Sequence, residues 1–245
     1  MAAAEGELWW YRALHELVAG ALRAHPKGRD AKVVDAGCGT GGLLRFLAEQ
    51  GYADLSGFDV AETAVQICRE RTLRVQRADL RELGQLLEPG SVDVLISNDT
   101  LYFLKPAEQE QVVRAFSHAL APGGLLVLNL PALRCFRGTH DKAVGIGERF
   151  SKADVARLFE GGEYLVEQVQ FWPCLVSPLI YTVRALQRLR LTIGTSGPAK
   201  SDVDVPPQWI NETLLGLTRL ERRICWRTPF GSSLFVVARK RDGDQ

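Results

Sequence analysis

Apolar residues recur at Leu8, Tyr11, Leu14, Leu17, Val18 and Leu22, one face of a helix over residues 5–25 that Pro26-Lys27-Gly28 brings to an end. After it the period changes. Short apolar runs at 31–36, 54–58, 73–77, 92–97 and 125–130 read as strands, with helical spacings at 43–50, 61–71 and 108–120 between them. Ser151-x-x-Asp154 opens a further helix with a capping-box pattern, and residues 164–171 and 234–239 read as two more strands. Some sixty residues, 173–233, lie between that last pair, far beyond an ordinary loop. Two helical patterns fall within them. One has Leu179, Val183 and Leu186 on one face and Arg184 and Arg188 on another; the second has Leu214, Leu217, Leu220 and Ile224. Residues 194–207 between these patterns read as a polar linker.

Composition narrows the classes. With 46% hydrophobic and 24% charged residues the chain can bury a full core, and a net charge of +1 gives no global field to select a nucleic acid. The five cysteines are scattered without a CxxC, which argues against a disulfide framework or zinc site and fits a reducing, cytoplasmic setting. The opening residues lack the basic and apolar regions of a signal peptide, and the apolar run at 171–183 is too short to span a bilayer.

The stretch with the most chemistry is Val33-Val34-Asp35-Ala36-Gly37-Cys38-Gly39-Thr40-Gly41-Gly42. A strand runs into alternating glycines and then into a helix. Such a loop lets a ligand lie on bare backbone while the amides of the new helix point at it. Gly37-x-Gly39-x-x-Gly42 also satisfies the dinucleotide fingerprint, so a nicotinamide-dependent oxidoreductase is a rival reading. Asp35 counts against it, because a carboxylate two residues before the first glycine repels a pyrophosphate and suits a ligand carrying an ammonium group. Asp59 follows Gly41 by 18 residues, where a ribose diol needs a two-oxygen acceptor; the alternative role is to start the next helix.

Asp35-x-Gly37-x-Gly39-x-Gly41, Asp59, Asp79-Leu80 and the Leu120-Ala121-Pro122-Gly123-Gly124 run, in this order, resemble class I S-adenosylmethionine (SAM)-dependent methyltransferases. The resemblance implies an α/β, Rossmann-like fold: a seven-stranded, mostly parallel sheet with the last strand antiparallel and helices on both faces. Residues 1–245 would then form one methyltransferase domain, with a lid helix at 1–28 and a helical insert or cap at 173–233. It implies SAM as cofactor and S-adenosylhomocysteine as product. The cofactor would lie against Asp35, Gly37, Cys38, Gly39, Gly41 and Val60, with Asp59 at the ribose. Asp79 and Leu80 would meet the adenine and Asn98 the methionine end. In Trp9-Trp10-Tyr11-Arg12, Trp10 would face the sulfonium or adenosine by cation–π attraction and Arg12 the carboxylate, although the family's usual second arginine falls on Leu14; the alternative is that the rings simply pin the helix to the sheet edge.

For catalysis the candidates are His140, a loop residue beside Asp141 that could act as general base, and Tyr102, whose alternative is core packing. There is no Asn/Asp-Pro-Pro-Tyr, the signature of nucleobase amine methylation, and Phe103 stands where family members often carry His. Asn129-Leu130-Pro131 replaces the Asp-Asn pair of metal-dependent relatives, so no catalytic metal is expected. The leading expectation is a small-molecule O- or N-methyltransferase working by in-line displacement; a silent cofactor-binding module is the other alternative. Seven arginines in the insert (Arg184, Arg188, Arg190, Arg219, Arg222, Arg223, Arg227) suit an anionic acceptor, an anionic membrane surface or simply solvent.

Overall fold

Seven strands form one sheet, and the order of the strands places the functional edge. The computed structural model describes residues 4–192, 205–224 and 228–242. In chain order the strands are β1 (Val33–Ala36), β2 (Leu55–Asp59), β3 (Val75–Arg77), β4 (Val92–Asn98), β5 (Leu120–Pro131), β6 (Tyr164–Trp172) and β7 (Ser233–Lys240), arranged β3-β2-β1-β4-β5-β7-β6. The first five pair in parallel, and β7 runs antiparallel to both β5 and β6. The order reverses between β1 and β4, so the crevice beyond their carboxyl ends is the topological switch point.

Side-chain alternation assigns the two faces. Leu126, Leu128 and Leu130 of β5 and Leu234, Val236 and Ala238 of β7 bury into one core layer. Their neighbours Leu125, Val127, Phe235 and Val237 bury into the other. On the first face lie α6 (Pro106–Ala119), started by Pro106 and by Glu108 accepting from the Lys105 amide, and α8 (Lys152–Leu158), opened by the expected Ser151/Asp154 capping box. On the second lie α2 (Trp9–Leu22) and α3 (Gly42–Glu49). The remaining helices are α1 (Ala4–Glu7), α4 (Glu62–Glu70), α5 (Leu83–Leu86), α7 (Thr139–Val144), α9 (Ser177–Thr192) and α10 (Gln208–Ile224).

Two expectations change. The single N-terminal helix is divided: Leu8 is extended (φ −66°, ψ 129°), so α1 can turn onto the glycine loop while α2 packs on the sheet. The segment carrying His140 is not a loop but α7. The insert falls where the sequence placed it, between β6 and β7; α10 packs on α2, and α9 reaches α7 and residues 134–136. Most of the expected linker, residues 194–204, lies outside the described residues.

Candidate active site

The glycine loop after β1 is shaped by backbone that only glycine tolerates. Gly37 has φ +84°, and a Cβ there would meet Thr100 Cγ2 at 2.1 Å. Thr100 itself is fixed by a short hydroxyl contact with Ser97, whose Oγ donates to the Ala36 carbonyl at 3.1 Å. The loop after β4 therefore closes directly on the loop after β1.

Acids crowd this point. Asp59 Oδ2 accepts from the Gly39 amide and Oδ1 from the Ala61 amide, both at 2.9 Å, so the residue braces the glycine loop and starts the next segment at once. Glu5 of α1, buried, accepts from Thr40 Oγ1 at 2.6 Å, the Gly42 amide at 3.0 Å and the Thr40 amide at 3.3 Å. Its carboxylate thus occupies the amides at the start of α3, the seat a pyrophosphate would need. Asp35 is buried next to both. Desolvation first, then Glu5 and Asp59, push its pKa up to about 8. The cluster suits a cation and opposes a dinucleotide.

Asn98, at the tip of β4, adds a polar atom in need of a donor: its Oδ1 is buried without a hydrogen-bond partner. An ammonium-bearing ligand supplies such a donor, so the residues present fit the methionine end of SAM. Toward the other end, Val60 is exposed beside Asp59. Asp79 accepts from the Arg81 amide and guanidinium at 2.6–2.9 Å, which holds its carboxyl below the usual range. Leu80 packs partly against the core. Cys38 is buried beneath the loop, and its thiol and that of Cys68 both donate to the Gly39 carbonyl, at 3.8 and 3.4 Å.

On the other side of Asn98 stands Asp99, a residue to which the sequence reading gave no role. Its backbone is left-handed (φ 53°), unusual for a residue with a side chain. The Asp99 amide donates to the Asn129 carbonyl at 2.8 Å, and Asn129 Nδ2 donates to Asp99 Oδ2 at 2.8 Å. Asn129 Oδ1 in turn accepts from Trp172 Nε1 at 2.8 Å. Burial raises the Asp99 pKa to about 7 against the lowering effects of Asn129 and, more weakly, Arg149. The only local hint was position, directly after Asn98 at the switch-point strand.

The aromatic residues around Asp99 are packed against one another and against the sheet. Trp10 stacks on Trp172, centroids 5.4 Å apart, with Tyr11 edge-on to it, so one face of its ring is taken by protein. Arg12 pairs with Glu212 of α10 at 2.5 Å rather than standing free for a ligand carboxylate. Burial, then Asp99, keeps both the Tyr11 and Tyr102 hydroxyls firmly protonated, and the Tyr102 ring lies 4.3 Å from that of Phe103. Both oxygens of Asp141, the neighbour of His140, accept from Arg149, at 2.6 and 2.8 Å, in a buried pair. Arg149 also donates to the carbonyls of Ala132 and Ser232, joining α7 to the ends of β5 and β7.

The insert arginines also have protein partners. Arg188 donates to the carbonyls of Cys135 and Arg137, Arg184 is buried near Gln187, and Arg219 and Arg222 hold Glu16 of α2. Arg227 and the Arg190 side chain lie outside the described set.

Residues 33–124 match the family model described as a methyltransferase domain. Residues 33–124 thus carry a methyltransferase domain, on the Rossmann-like fold of class I SAM-dependent methyltransferases. The cofactor of that class is SAM. Among curated proteins the chain is similar to a carboxy-S-adenosyl-L-methionine synthase of Psychrobacter sp. (35% identity; 45% of this chain, 43% of that protein). It is also similar to a trans-aconitate 2-methyltransferase of Deinococcus radiodurans (34% identity; 44% and 40%). It thus spans less than half the length of either relative. Among solved structures, a SAM-dependent methyltransferase from Archaeoglobus fulgidus shares the fold across 92% of this chain and 94% of its own, at a TM-score of 0.60 and 18% identity.

Proposed function

We propose that this domain transfers a methyl group from SAM to a hydroxyl or amine of a neutral or cationic small molecule, and that Asp99 takes the acceptor's proton. The observation that carries the reading is the Asp99–Asn129–Trp172 chain at the switch point, beside the unpartnered Oδ1 of Asn98. Bound SAM supplies a methyl group already activated on a sulfonium. The protein's part is to hold the cationic end, align the acceptor and exclude water, and alignment alone can lower the barrier by ~7–11 kcal/mol.

Asp35, Asp59 and Asn98 hold the cationic end, with Asp59 also at the ribose and Asp79-Leu80 with Val60 at the adenine. Asn129 fixes Asp99 Oδ2 and so leaves Oδ1 to accept a proton from the acceptor. A carboxylate with a pKa of about 7 is a base suited to neutral pH. Tyr11 and Tyr102, held protonated, serve as donors that orient the acceptor rather than as bases. An anionic acceptor loses support here, because the cleft edge is acidic and Arg184 and Arg188 of the insert are turned onto protein. His140 on α7 remains a residue to test at the rim, as does the insert as a cap over the acceptor.

The test is a screen of hydroxyl- and amine-bearing acceptors with labelled SAM, on wild type and Asp99→Asn. Turnover that falls ~10²–10⁴-fold in the variant, with SAM affinity kept, is the expected result. SAM binding with no turnover on any acceptor overturns it in favour of a binding module.

A further inference from the structure

The insert has its faces reversed. In a water-soluble helix such as α9 the leucines turn inward and the arginines outward. Here Arg184 is 8% exposed, close enough to Gly138 that a Cβ there would meet its Cδ at 2.5 Å, and Arg188 caps the carbonyls of Cys135 and Arg137. Leu179, Val183, Leu186 and Leu189 are left in solvent, the last 58% exposed. The second insert helix repeats the pattern. Along α10, Asn211, Leu215, Thr218 and Glu221 are buried, while Trp209 (73% exposed), Leu217, Leu220 and Ile224 form a stripe on the outer side.

Charge accompanies the stripe. Arg219, Arg222 and Arg223 of α10 and Arg23 just after α2 line one groove of about 520 Å³, with Glu16 the only acid on its walls among the described residues. Over residues 173–233 there are eight Lys/Arg against four Asp/Glu, a net +4, which leaves −3 to the rest of a chain whose total is +1. Apolar stripes and excess positive charge therefore belong to the same sixty-residue insert.

We propose that this insert docks on an anionic membrane surface, with the exposed leucines, Ile224 and Trp209 at the acyl boundary and Arg219, Arg222 and Arg223 of α10 at the level of the lipid phosphates. Among the described residues no helix is long and apolar enough to cross a membrane, so the contact is peripheral. An aromatic residue at the rim of an apolar stripe with arginines beside it is the composition such an interface selects. The inference stands apart from the methyl-transfer chemistry and does not depend on it.

The experiment is co-sedimentation of the full chain with phosphatidylcholine vesicles and with vesicles containing 30% phosphatidylglycerol (about a third anionic lipid, enough to set a surface potential). The proteins are wild type, Trp209→Ala/Leu220→Ser/Ile224→Ser, and Arg222→Gln/Arg223→Gln. Circular dichroism and SAM binding report that the variants are folded. The expected result is binding to the anionic vesicles only, weakened about tenfold or more by either variant and by added salt. Equal binding of wild type and both variants, or none to the anionic vesicles, overturns the proposal. So does a self-association in sedimentation velocity that the stripe variant abolishes while lipid binding stays absent, since the stripe then belongs to a second copy of the chain.

Discussion

Asp99 and Asn129 are joined twice, backbone to backbone at 2.8 Å and side chain to side chain at 2.8 Å, across the neighbouring ends of β4 and β5. The double link holds a left-handed aspartate at the switch point and ties its acidity to one amide. Removing that amide should therefore move a kinetic pKa.

In Asn129→Leu, Asp99 loses the hydrogen bond that lowers its pKa, so the acidic limb of the pH–rate profile should shift upward from about 7. Trp172 Nε1, buried, is left without its acceptor, at a cost of ~1–3 kcal/mol in stability by urea unfolding. A profile that stays in place would detach Asp99 from the proton transfer.

Asp35 should make the ligand-free protein less stable as pH rises. Its folded pKa is about 8 and its ordinary value 3.8, so between these the folded state binds the extra proton and stability falls with increasing pH. The slope from one such group is at most about 1.4 kcal/mol per pH unit. Asp99 adds to it up to about pH 7. His15 acts oppositely: buried with a pKa of about 4, it stabilises the protein above its ordinary 6.5, an effect lost as pH drops toward 4. Between pH 6.5 and 8 the Asp35 effect should dominate, and thermal melts of Asp35→Asn should be flatter across that window than wild type.

The buried Arg149–Asp141 pair connects α7 to the ends of β5 and β7. Asp141→Ala strands a guanidinium inside the protein and should cost ~3–5 kcal/mol. Arg149→Met with Asp141→Leu, which removes both charges, should recover most of that in the same denaturation measurement. A double variant no more stable than the single would show that the pair is needed for packing as well as charge.

Arg12 offers the opposite case. Its bridge to Glu212 is partly solvated, and such pairs contribute ~0–1 kcal/mol. Arg12→Ala should leave the melting temperature nearly unchanged and SAM affinity within about twofold, the latter because a group already paired with Glu212 contributes little to a ligand. A tenfold loss of SAM affinity would restore the arginine-clamp reading.

What the sequence reveals and what it hides follow from the range of the interactions. The strands were legible because apolar runs of the right length alternate with helical spacings, and the cradle because Asp35, Gly37, Gly39 and Gly41 are adjacent in the chain. Asp59 was legible as an acid at the tip of the second strand that starts the next segment, but not as a brace on the glycine loop. Partners far apart in sequence were not. Arg12 meets Glu212 200 residues away, and Asn129 brings Asp99 and Trp172 together from 30 residues before it and 43 after. Glu5 read as one more acid in a helix, yet it sits in the glycine loop 35 residues on because the chain bends at Leu8. In α9 the two faces were read correctly from periodicity, but periodicity does not say which face is covered.

The most direct measurement is calorimetric titration of the protein with SAM and, separately, NADH at pH 7, in two buffers of different ionisation enthalpy. A cationic ligand entering beside Asp35 should draw off its proton, so the SAM heat should differ between the buffers. That difference should vanish in Asp35→Asn, while NADH gives no heat. Binding of NADH, or no binding of SAM by the folded protein, would contradict the account.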